Sequence, residues 1–234
     1  MEKAFGNRSI RILENGPILV KGSLPLAEET MILGADGEPA GWARGEDIKT
    51  SETFSLCRCG KTGHAPFCDG THIKEEFNGT ETAPLAIKPE VAEVTKGPAL
   101  SLADVPCLCA IARFCHRQGD AWTLTEESGD PEKKRVAVES AANCPSGRIT
   151  AINNETGRTL EPDLAPSIGL IRDTYHHGLG PIWVKGGVPI ESASGEGYEA
   201  RNRVTLCRCG LSENKPLCDG THLKCRFGKE PDKP

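Results

Sequence analysis

The residues best suited to metal chemistry are three cysteines and one histidine, which occur twice in the same arrangement. Both sets have the spacing C-x-C-x8-C-x3-H and comprise Cys57, Cys59, Cys68 and His72, then Cys207, Cys209, Cys218 and His222. Thiolate sulfur and imidazole nitrogen are ligands that zinc, iron and iron–sulfur clusters accept. The pattern therefore predicts two equivalent metal sites.

Within each set the spacing divides the ligands into two pairs. Cys57 and Cys59 are two residues apart, so an extended segment can direct both thiolates toward one metal ion. Cys68 and His72 are four residues apart, which places them on one face of a helix, and Asp69 favours the N-cap of that helix. One pair from a loop and one from a helix start favour a two-iron cluster with two protein ligands per iron.

A structural zinc site is the competing interpretation of the same residues. Zinc also takes three cysteines and one histidine, although usually through C-x2-C segments that close a tetrahedron around one ion. The C-x-C spacing is tight for a single zinc ion. Spacing alone leaves a zinc-stabilised interaction module as an open alternative.

The sequence surrounding each set is also repeated. Residues 16–22 (GPILVKG) match residues 180–186 (GPIWVKG), and the interval to the first cysteine is about 14 residues longer in the first copy. We place these extra residues within 34–49. Each copy predicts two short strands before its ligand loop, at Ile18–Val20 and Phe54–Leu56, then at Ile182–Val184 and Val204–Leu206.

Both copies resemble the CDGSH iron–sulfur family. The resemblance is carried by Cys-Arg-Cys-Gly, by a hydroxyl residue at Thr62 and Ser212, and by a closing Cys-Asp-Gly-Thr-His in which Thr71 and Thr221 replace the commoner serine. It implies a [2Fe–2S] cluster in each copy. The implied inner-iron ligands are Cys57 and Cys59, then Cys207 and Cys209, and the implied outer-iron ligands are Cys68 and His72, then Cys218 and His222. Single-motif members form intertwined homodimers, so this chain resembles such a dimer fused into one pseudo-symmetric monomer.

Between the copies, the sequence predicts a small domain of different character. Pro84, Pro89 and Pro98 indicate a linker, and Asp130-Pro131-Glu132 indicates a helix start. That helix should end before Cys144-Pro145, and a turn at Asn153, Asn154 and Gly157 should follow a strand.

The central cysteines resemble those of divergent mono-cluster ferredoxins. In that family C-x5-C and a later Cys-Pro hold a [3Fe–4S] cluster, which here implies Cys109, Cys115 and Cys144, with Cys107 as a candidate fourth ligand of a [4Fe–4S] cluster. However, the loop Ala110–Phe114 has no glycine and favours a helix, which would turn Cys109 and Cys115 about 240° apart. A third cluster and a ferredoxin-derived fold without one both stay open.

The remaining histidines and one cysteine have no matched partner in the repeat. We predict that the histidines are exposed, and they are His64, His116, His176 and His177. Cys225 follows the second set, but Glu75 occupies its place in the first copy, so we predict a bystander thiol.

Composition excludes several classes of function. The formal charge of −5 gives little support to nucleic-acid binding, and no apolar run approaches the roughly 20 residues of a membrane-spanning helix. The eleven cysteines are odd in number and bunched, which indicates metal ligation rather than disulfides. We expect a cytoplasmic protein without nucleic-acid or membrane partners.

These observations predict an α+β protein of three parts. Two small β-rich lobes, at 1–80 and 169–234, should form a pseudo-symmetric pair around an inserted α+β ferredoxin-like domain at 81–168. With 26 glycines and 17 prolines the chain favours turns and short strands. We expect a monomer, since the second lobe replaces the second chain.

The expected function is electron transfer to or from redox partner proteins. Neither a nucleophile with its base nor a phosphate loop is found in the sequence, so we expect no enzyme. Storage of clusters, or their transfer to apo iron–sulfur proteins, is the alternative. The predicted cofactors are two [2Fe–2S] clusters.

Overall fold

The computed structural model describes residues 7–87 and 89–228, which are mostly β-structure with a few short helices. The strands in this part of the chain are β1 (Ser9–Ile12), β2 (Ile18–Lys21), β3 (Leu26–Leu33), β4 (Pro39–Asp47), β5 (Thr53–Leu56), β6 (Glu93–Lys96), β7 (Leu100–Asp104), β8 (Ile149–Asn153), β9 (Ser167–Asp173), β10 (Gly178–Lys185), β11 (Ile190–Glu191) and β12 (Arg203–Leu206). Its α-helices are α1 (Thr71–Lys74), α2 (Ala121–Glu126), α3 (Pro131–Asn143) and α4 (Thr221–Lys224). The α+β class is confirmed, and the four strands predicted from the repeat lie within β2, β5, β10 and β12.

The first lobe (up to residue 80) and the second lobe (from residue 169) exchange strands. One sheet has the order β11-β1-β2-β5, and the other has the order β12-β10-β9-β3-β4. Strand β11 runs parallel to β1 with Ile190 opposite Ile10, and β3 runs parallel to β9 with Leu26 opposite Ile168. Each sheet is therefore completed by a strand from the other half of the chain. The predicted boundary between residues 168 and 169 falls inside β9.

A single apolar cluster joins these two sheets. Alternate residues of β1 and β2 are buried, as expected for strands with one face on a core. Its fully buried members include Ile10, Ile12, Ile18, Val20, Leu24, Leu26, Leu56, Ile168, Ile182, Val184 and Leu206. Burying each of these side chains contributes about 1.5–3 kcal/mol, and the cluster fixes the ends of β5 and β12, from which the ligand loops leave.

The extra residues of the first copy form a hairpin. Strand β4 lies antiparallel to β3 and is the fifth strand of its sheet, for which the four-stranded sheet has no equivalent. The side chain of Trp42 on β4 donates from Nε1 to the carbonyl of Asn143 at 3.0 Å. Its ring lies 4.9 Å from Phe114 and 5.0 Å from Trp183. The hairpin therefore connects the central segment to the second lobe.

The central segment (residues 81–168) is a three-stranded antiparallel sheet, β6-β7-β8, covered by α2 and α3. Helix α3 begins after Asp130 and ends before Cys144, as predicted. Its start is fixed by the Asp130 carboxylate, which accepts hydrogen bonds from the N–H groups of Glu132 and Lys133. The linker is shorter than its prolines indicated, because β6 lies between Pro89 and Pro98 and pairs with β7, which follows Pro98. In the described residues no helix has the length and apolarity needed to cross a membrane.

Candidate metal centres

The first ligand pair of each set lies immediately after a strand. The backbone N–H of Cys57 donates to the carbonyl of Pro66 at 2.9 Å, which turns the chain back after β5. The Sγ atoms of Cys57 and Cys59 lie 3.6 Å apart, and those of Cys207 and Cys209 lie 3.9 Å apart. All four cysteines are buried. Each C-x-C segment thus brings two thiols together in the interior.

The second ligand pair of each set is equally close. In the first lobe Sγ of Cys68 lies 3.3 Å from Nδ1 of His72. In the second lobe Sγ of Cys218 lies 3.4 Å from Nδ1 of His222. A cysteine and a histidine four residues apart therefore converge in both lobes.

The convergence of Cys68 and His72 does not come from a shared helix face, so that part of the prediction is wrong. Helix α1 begins at Thr71, and its N-cap is Gly70, whose φ of +86° lies in the left-handed region that favours glycine. The Asp69 carboxylate instead accepts hydrogen bonds from the N–H groups of Thr71 and Gly63, at 3.0 and 2.8 Å. These bonds, first those from Thr71, hold the pKa of Asp69 well below its ordinary value.

The hydroxyl position of the motif supports the same loop in both lobes. Thr62 Oγ1 donates to the carbonyl of Phe67 at 2.7 Å, and Ser212 Oγ donates to the carbonyl of Leu217 at 2.7 Å. Each hydroxyl closes the loop that leads into the second ligand pair. A methyl group in its place would leave those carbonyls without this donor.

The donor arrangement fits a two-metal cluster in each lobe. The eight ligands stand as four close pairs rather than as two groups of four. In the described residues no three His, Cys, Asp or Glu side chains converge as the ligands of one ion. Two ligands about 2.3 Å from the same tetrahedral metal lie about 3.7 Å apart, so each pair fits one metal of its own.

The two sites differ in burial. His222 and Cys218 are each only 4% exposed, whereas Cys68 and His72 are half-buried. Burial lowers the pKa of His222 to about 4 and raises the pKa of Cys218. Burial likewise raises the pKa of Cys59 to about 11. Without metal these thiols are protonated at neutral pH, so metal binding must displace their protons.

The cover over the second site comes from the loop that follows Cys109. A Cβ on Gly220 would lie 2.2 Å from Cδ1 of Ile111, so this isoleucine rests directly on the turn before α4. Two contacts hold the loop there. The Arg113 guanidinium pairs with the Glu38 carboxylate at 2.7 Å and lies 4.6 Å from the centre of the Tyr175 ring. Sequence reasoning missed this cover, because its residues lie outside the ligand pattern.

A third group of thiols lies in the central segment. Cys109, Cys115 and Cys144 line one small cavity together with Ser146 and Arg148. Arg148 Nη1 donates to the Sγ atom of Cys109 at 3.2 Å. Burial, and then the neighbouring Cys144, raise the pKa of Cys115 to about 12. These three thiols are the central site.

The expectation of a helix over Ala110–Phe114 is wrong. Ile111 and Arg113 have φ values of +56° and +64°, in the left-handed region, so the backbone wraps as an irregular loop. Cys109 and Cys115 therefore both face the cavity instead of pointing apart. The angular argument against a third cluster no longer applies.

Two cysteines lie outside these sites. Cys107 is exposed and does not line the central cavity, and its carbonyl accepts a hydrogen bond from Asn214 Nδ2 at 3.1 Å. Cys225 is also exposed, and its Sγ lies 3.5 Å from the carbonyl oxygen of His222. Neither is placed as a ligand.

Three of the four unmatched histidines are exposed as predicted, namely His64, His116 and His177. His176 is the exception, since it is half-buried with Nδ1 2.7 Å from the buried carboxylate of Asp173. The prediction of an exposed side chain is wrong there, because the backbone N–H of His176 also donates to Asp173 and draws the ring inward.

A buried arginine was missed in the sequence. Arg58 is 1% exposed, and its guanidinium donates to the carbonyls of Leu13, Gly16 and Gly79 at 2.8, 2.8 and 3.0 Å. No carboxylate of the described residues forms an ion pair with it. The signal was available, because arginine stands between the two cysteines of both C-x-C segments, as Arg58 and Arg208.

Comparison with known families finds a match in each of the three segments that carry these sites. Residues 15–73 and 179–223 match the family model described as iron-binding zinc finger, CDGSH type. Residues 95–154 match the model described as divergent 4Fe-4S mono-cluster. No curated protein and no solved structure matches the chain. Both resemblances found in the sequence are confirmed, and together they support an iron–sulfur protein.

Proposed function

We propose that this chain, which carries two CDGSH segments around a divergent 4Fe-4S mono-cluster segment, is an electron carrier with one [2Fe–2S] cluster in each lobe. The observation that carries the proposal is the division of each ligand set into two close pairs, such as Cys57 with Cys59 and Cys68 with His72. When bound, such a cluster accepts and releases single electrons. The chain supplies the ligands and controls charge, burial and access around them.

The histidine ligands define the expected range of reduction potential. His72 and His222 each replace a negative thiolate by a neutral imidazole, which lowers the negative charge at the site. We therefore expect potentials above those of all-cysteine plant-type ferredoxins and below those of two-histidine Rieske centres.

The central site is proposed to hold a third cluster. Cys109, Cys115 and Cys144 surround one cavity, and the guanidinium of Arg148 is placed to stabilise thiolate charge at Cys109. Arg148 is itself fixed by the buried carboxylate of Asp104, at 2.7 and 2.8 Å. With three cysteines on the cavity, the site favours a [3Fe–4S] cluster.

The contacts between the sites favour electron transfer within the chain. Gly60 is so close to Cys209 that a Cβ on it would lie 2.6 Å from the cysteine carbonyl oxygen. The second site also contacts the central segment through Ile111 and Gly220. We therefore propose the order first site, second site, central site, with the second site as the buried intermediate.

Cluster delivery to other proteins is the second candidate function. The half-buried His72 borders an open groove of about 540 Å³, lined also by Glu14, Ile73, Phe77 and Thr80. This opening gives the outer ligand pair of the first site a route to solvent or to a recipient chain. It favours release from the first site in particular.

The strand exchange supports an internal pseudo-dimer, and hence a monomer. In one sheet Ile18 pairs with Leu56, and in the other Ile182 pairs with Leu206 in the equivalent position. Each sheet then takes its parallel strand from the other lobe. Partners are proposed to be redox proteins, and no catalytic step on a substrate is assigned to the chain.

The two candidate functions are separated by following electrons and iron in one experiment. The holo-protein is reduced with dithionite, freed of excess reductant, and mixed with oxidised cytochrome c or with an apo-ferredoxin. Electron transfer predicts reoxidation by the cytochrome with the iron retained on this chain. Iron found on the ferredoxin, with slow reoxidation by the cytochrome, would support delivery instead.

A further inference from the structure

We propose that Arg58 and Arg208 are cationic positioning residues that raise the reduction potential of the cluster in the opposite lobe. The inference rests on the proposed function, since it requires a bound cluster in each lobe. Arg58 belongs to the first lobe and is assigned to the second site. Arg208 belongs to the second lobe and is assigned to the first site.

Arg58 is a buried charge that forms no ion pair with a carboxylate of the described residues. A buried charge is normally paired, because removing it from water is costly. Arg203, which is also fully buried, follows this rule and pairs with Glu161. Arg58 does not, since its guanidinium contacts three neutral carbonyls and the face of Phe77, 5.2 Å from the ring centre. An anionic cluster nearby would supply the missing negative charge.

The two C-x-C segments touch, which brings each arginine next to the other lobe's ligands. A Cβ on Gly60 would lie 2.6 Å from the carbonyl oxygen of Cys209, and one on Gly210 would lie 2.5 Å from that of Cys59. No larger residue fits at either glycine without moving this junction. Arg58 and Arg208 each lie two residues from a junction glycine.

The electrostatic interactions of the two arginines cross this junction. Arg58 interacts with the Glu81 carboxylate of its surroundings, and then, across the junction, with Cys207 and Tyr198. Burial lowers the pKa of its guanidinium, and these anionic partners oppose that shift.

Arg208 shows the reciprocal relation. It interacts with Cys57, and also with Glu28 and Arg172, which form an ion pair with each other. Its guanidinium lies 5.8 Å from the centre of the Phe227 ring, the counterpart of Phe77. In both lobes the arginine thus stands over an aromatic ring and interacts electrostatically with a cysteine of the opposite set.

The consequence for redox chemistry follows from charge. Reduction adds one electron to a cluster and breaks no bond to the chain, so the site becomes more negative by one charge. A fixed cation in a low-dielectric interior stabilises the reduced form more than the oxidised form. Removing it must therefore lower the reduction potential of the site that it faces.

The test measures each potential separately in the full-length chain. Both backgrounds carry Cys109→Ser, Cys115→Ser and Cys144→Ser, which remove the central site. Cys218→Ala with His222→Ala then leaves a cluster only in the first site, and Cys68→Ala with His72→Ala leaves one only in the second. Into each background we introduce Arg58→Gln, Arg208→Gln or the control Arg11→Gln, whose side chain is exposed and paired with Glu191. Midpoints are taken from redox titrations with dithionite, followed by electron paramagnetic resonance.

The expected result is a crossed effect. Arg208→Gln should lower the reduced-to-oxidised ratio of the first site about tenfold at a fixed potential, which is about 59 mV for one electron. It should change the second site less. Arg58→Gln should lower the potential of the second site and change the first site less. Arg11→Gln should change neither site.

Lysine variants separate charge from hydrogen bonding. Arg58→Lys keeps the cation but cannot reach all three carbonyls. The reduction potential of the second site should therefore stay close to that of the parent chain, even if the fold is weakened. Equal potentials in glutamine, lysine and parent chains, or a larger shift in the arginine's own lobe, would overturn the inference. Parent chains that bind zinc instead of iron–sulfur would overturn the proposed function with it.

Discussion

The two sites in the CDGSH-matched segments have the same predicted ligands and similar pair distances, yet they differ in access. In the first site His72 is half-buried beside an open groove. In the second site His222 is 4% exposed, and the side chain of Ile111 rests on Gly220, two residues before it. The motif thus determines how the ligands meet, whereas residues outside the motif determine what can reach them.

The covering of the second site also gives a role to the extra hairpin of the first copy. Glu38, which lies directly before β4, anchors Arg113 of the covering loop, and Trp42 on β4 contacts Phe114. The additional residues of one lobe therefore help to enclose the site of the other. Two copies of one motif thus come to differ in access through such additions.

The largest effect is expected from removing Arg203, whose ion pair fixes the central segment. Arg203 on β12 pairs with Glu161 and donates to the carbonyl of Cys144 at 2.8 Å. Arg203→Ala leaves Glu161 without its ion-pair partner and the carbonyl of Cys144 without this donor, so the free energy of unfolding should fall by about 3–5 kcal/mol. The measurement is chemical denaturation of the metal-free chain.

The same variant should open the second site, since the covering loop belongs to the central segment. Chelator-driven bleaching of the second site should accelerate, while that of the first should not. Arg172→Ala is the control, because its exposed ion pair with Glu28 contributes only about 0–1 kcal/mol. Loss of stability without faster bleaching would show that Arg203 does not hold the cover.

The difference in burial between His72 and His222 predicts different rates of cluster loss from the two sites. With an excess of chelator, the first site should bleach roughly tenfold faster than the second, equivalent to about 1.4 kcal/mol in local opening free energy. The rates are read from visible absorbance in the two single-site backgrounds. Equal rates would mean that the burial of His222 does not protect its cluster.

A smaller effect is expected from trimming the cover. Ile111→Ala removes the side chain that rests on Gly220 and should cost about 1 kcal/mol of local packing. Bleaching of the second site should then accelerate by about fivefold, a factor that corresponds to that energy. Ile73→Ala is the matched control, since Ile73 is 74% exposed and follows His72 directly. If both variants behaved alike, Ile111 would not be the barrier.

The sequence predicted the elements that depend on local pattern. The repeat located the ligand pairs and four strands, and Asp130-Pro131 located the start of α3. It did not predict that β3 and β11 join the opposite sheets, because strand exchange depends on long-range pairing. It also did not predict the left-handed residues of the covering loop, which contacts such as that of Arg113 with Glu38 stabilise against helix propensity.

The repeated arginine of the two C-x-C segments was visible in the sequence, but the burial of Arg58 was not. An arginine in a metal-binding loop is ordinarily exposed, and only the carbonyls of Leu13, Gly16 and Gly79 show that this one is enclosed. Those partners are up to 45 residues away along the chain. The site could therefore be predicted at the level of its ligands but not of its electrostatic surroundings.

The central claim is that each ligand set holds two irons, one on each pair. It is tested most directly by iron and sulfide analysis with Mössbauer spectroscopy on anaerobically purified chains that carry Cys109→Ser, Cys115→Ser and Cys144→Ser. The account predicts about four irons and four sulfides per chain, with equal populations of iron bound by two cysteines and iron bound by cysteine and histidine. A colourless chain with one zinc ion per set, or one iron per set without sulfide, would contradict it.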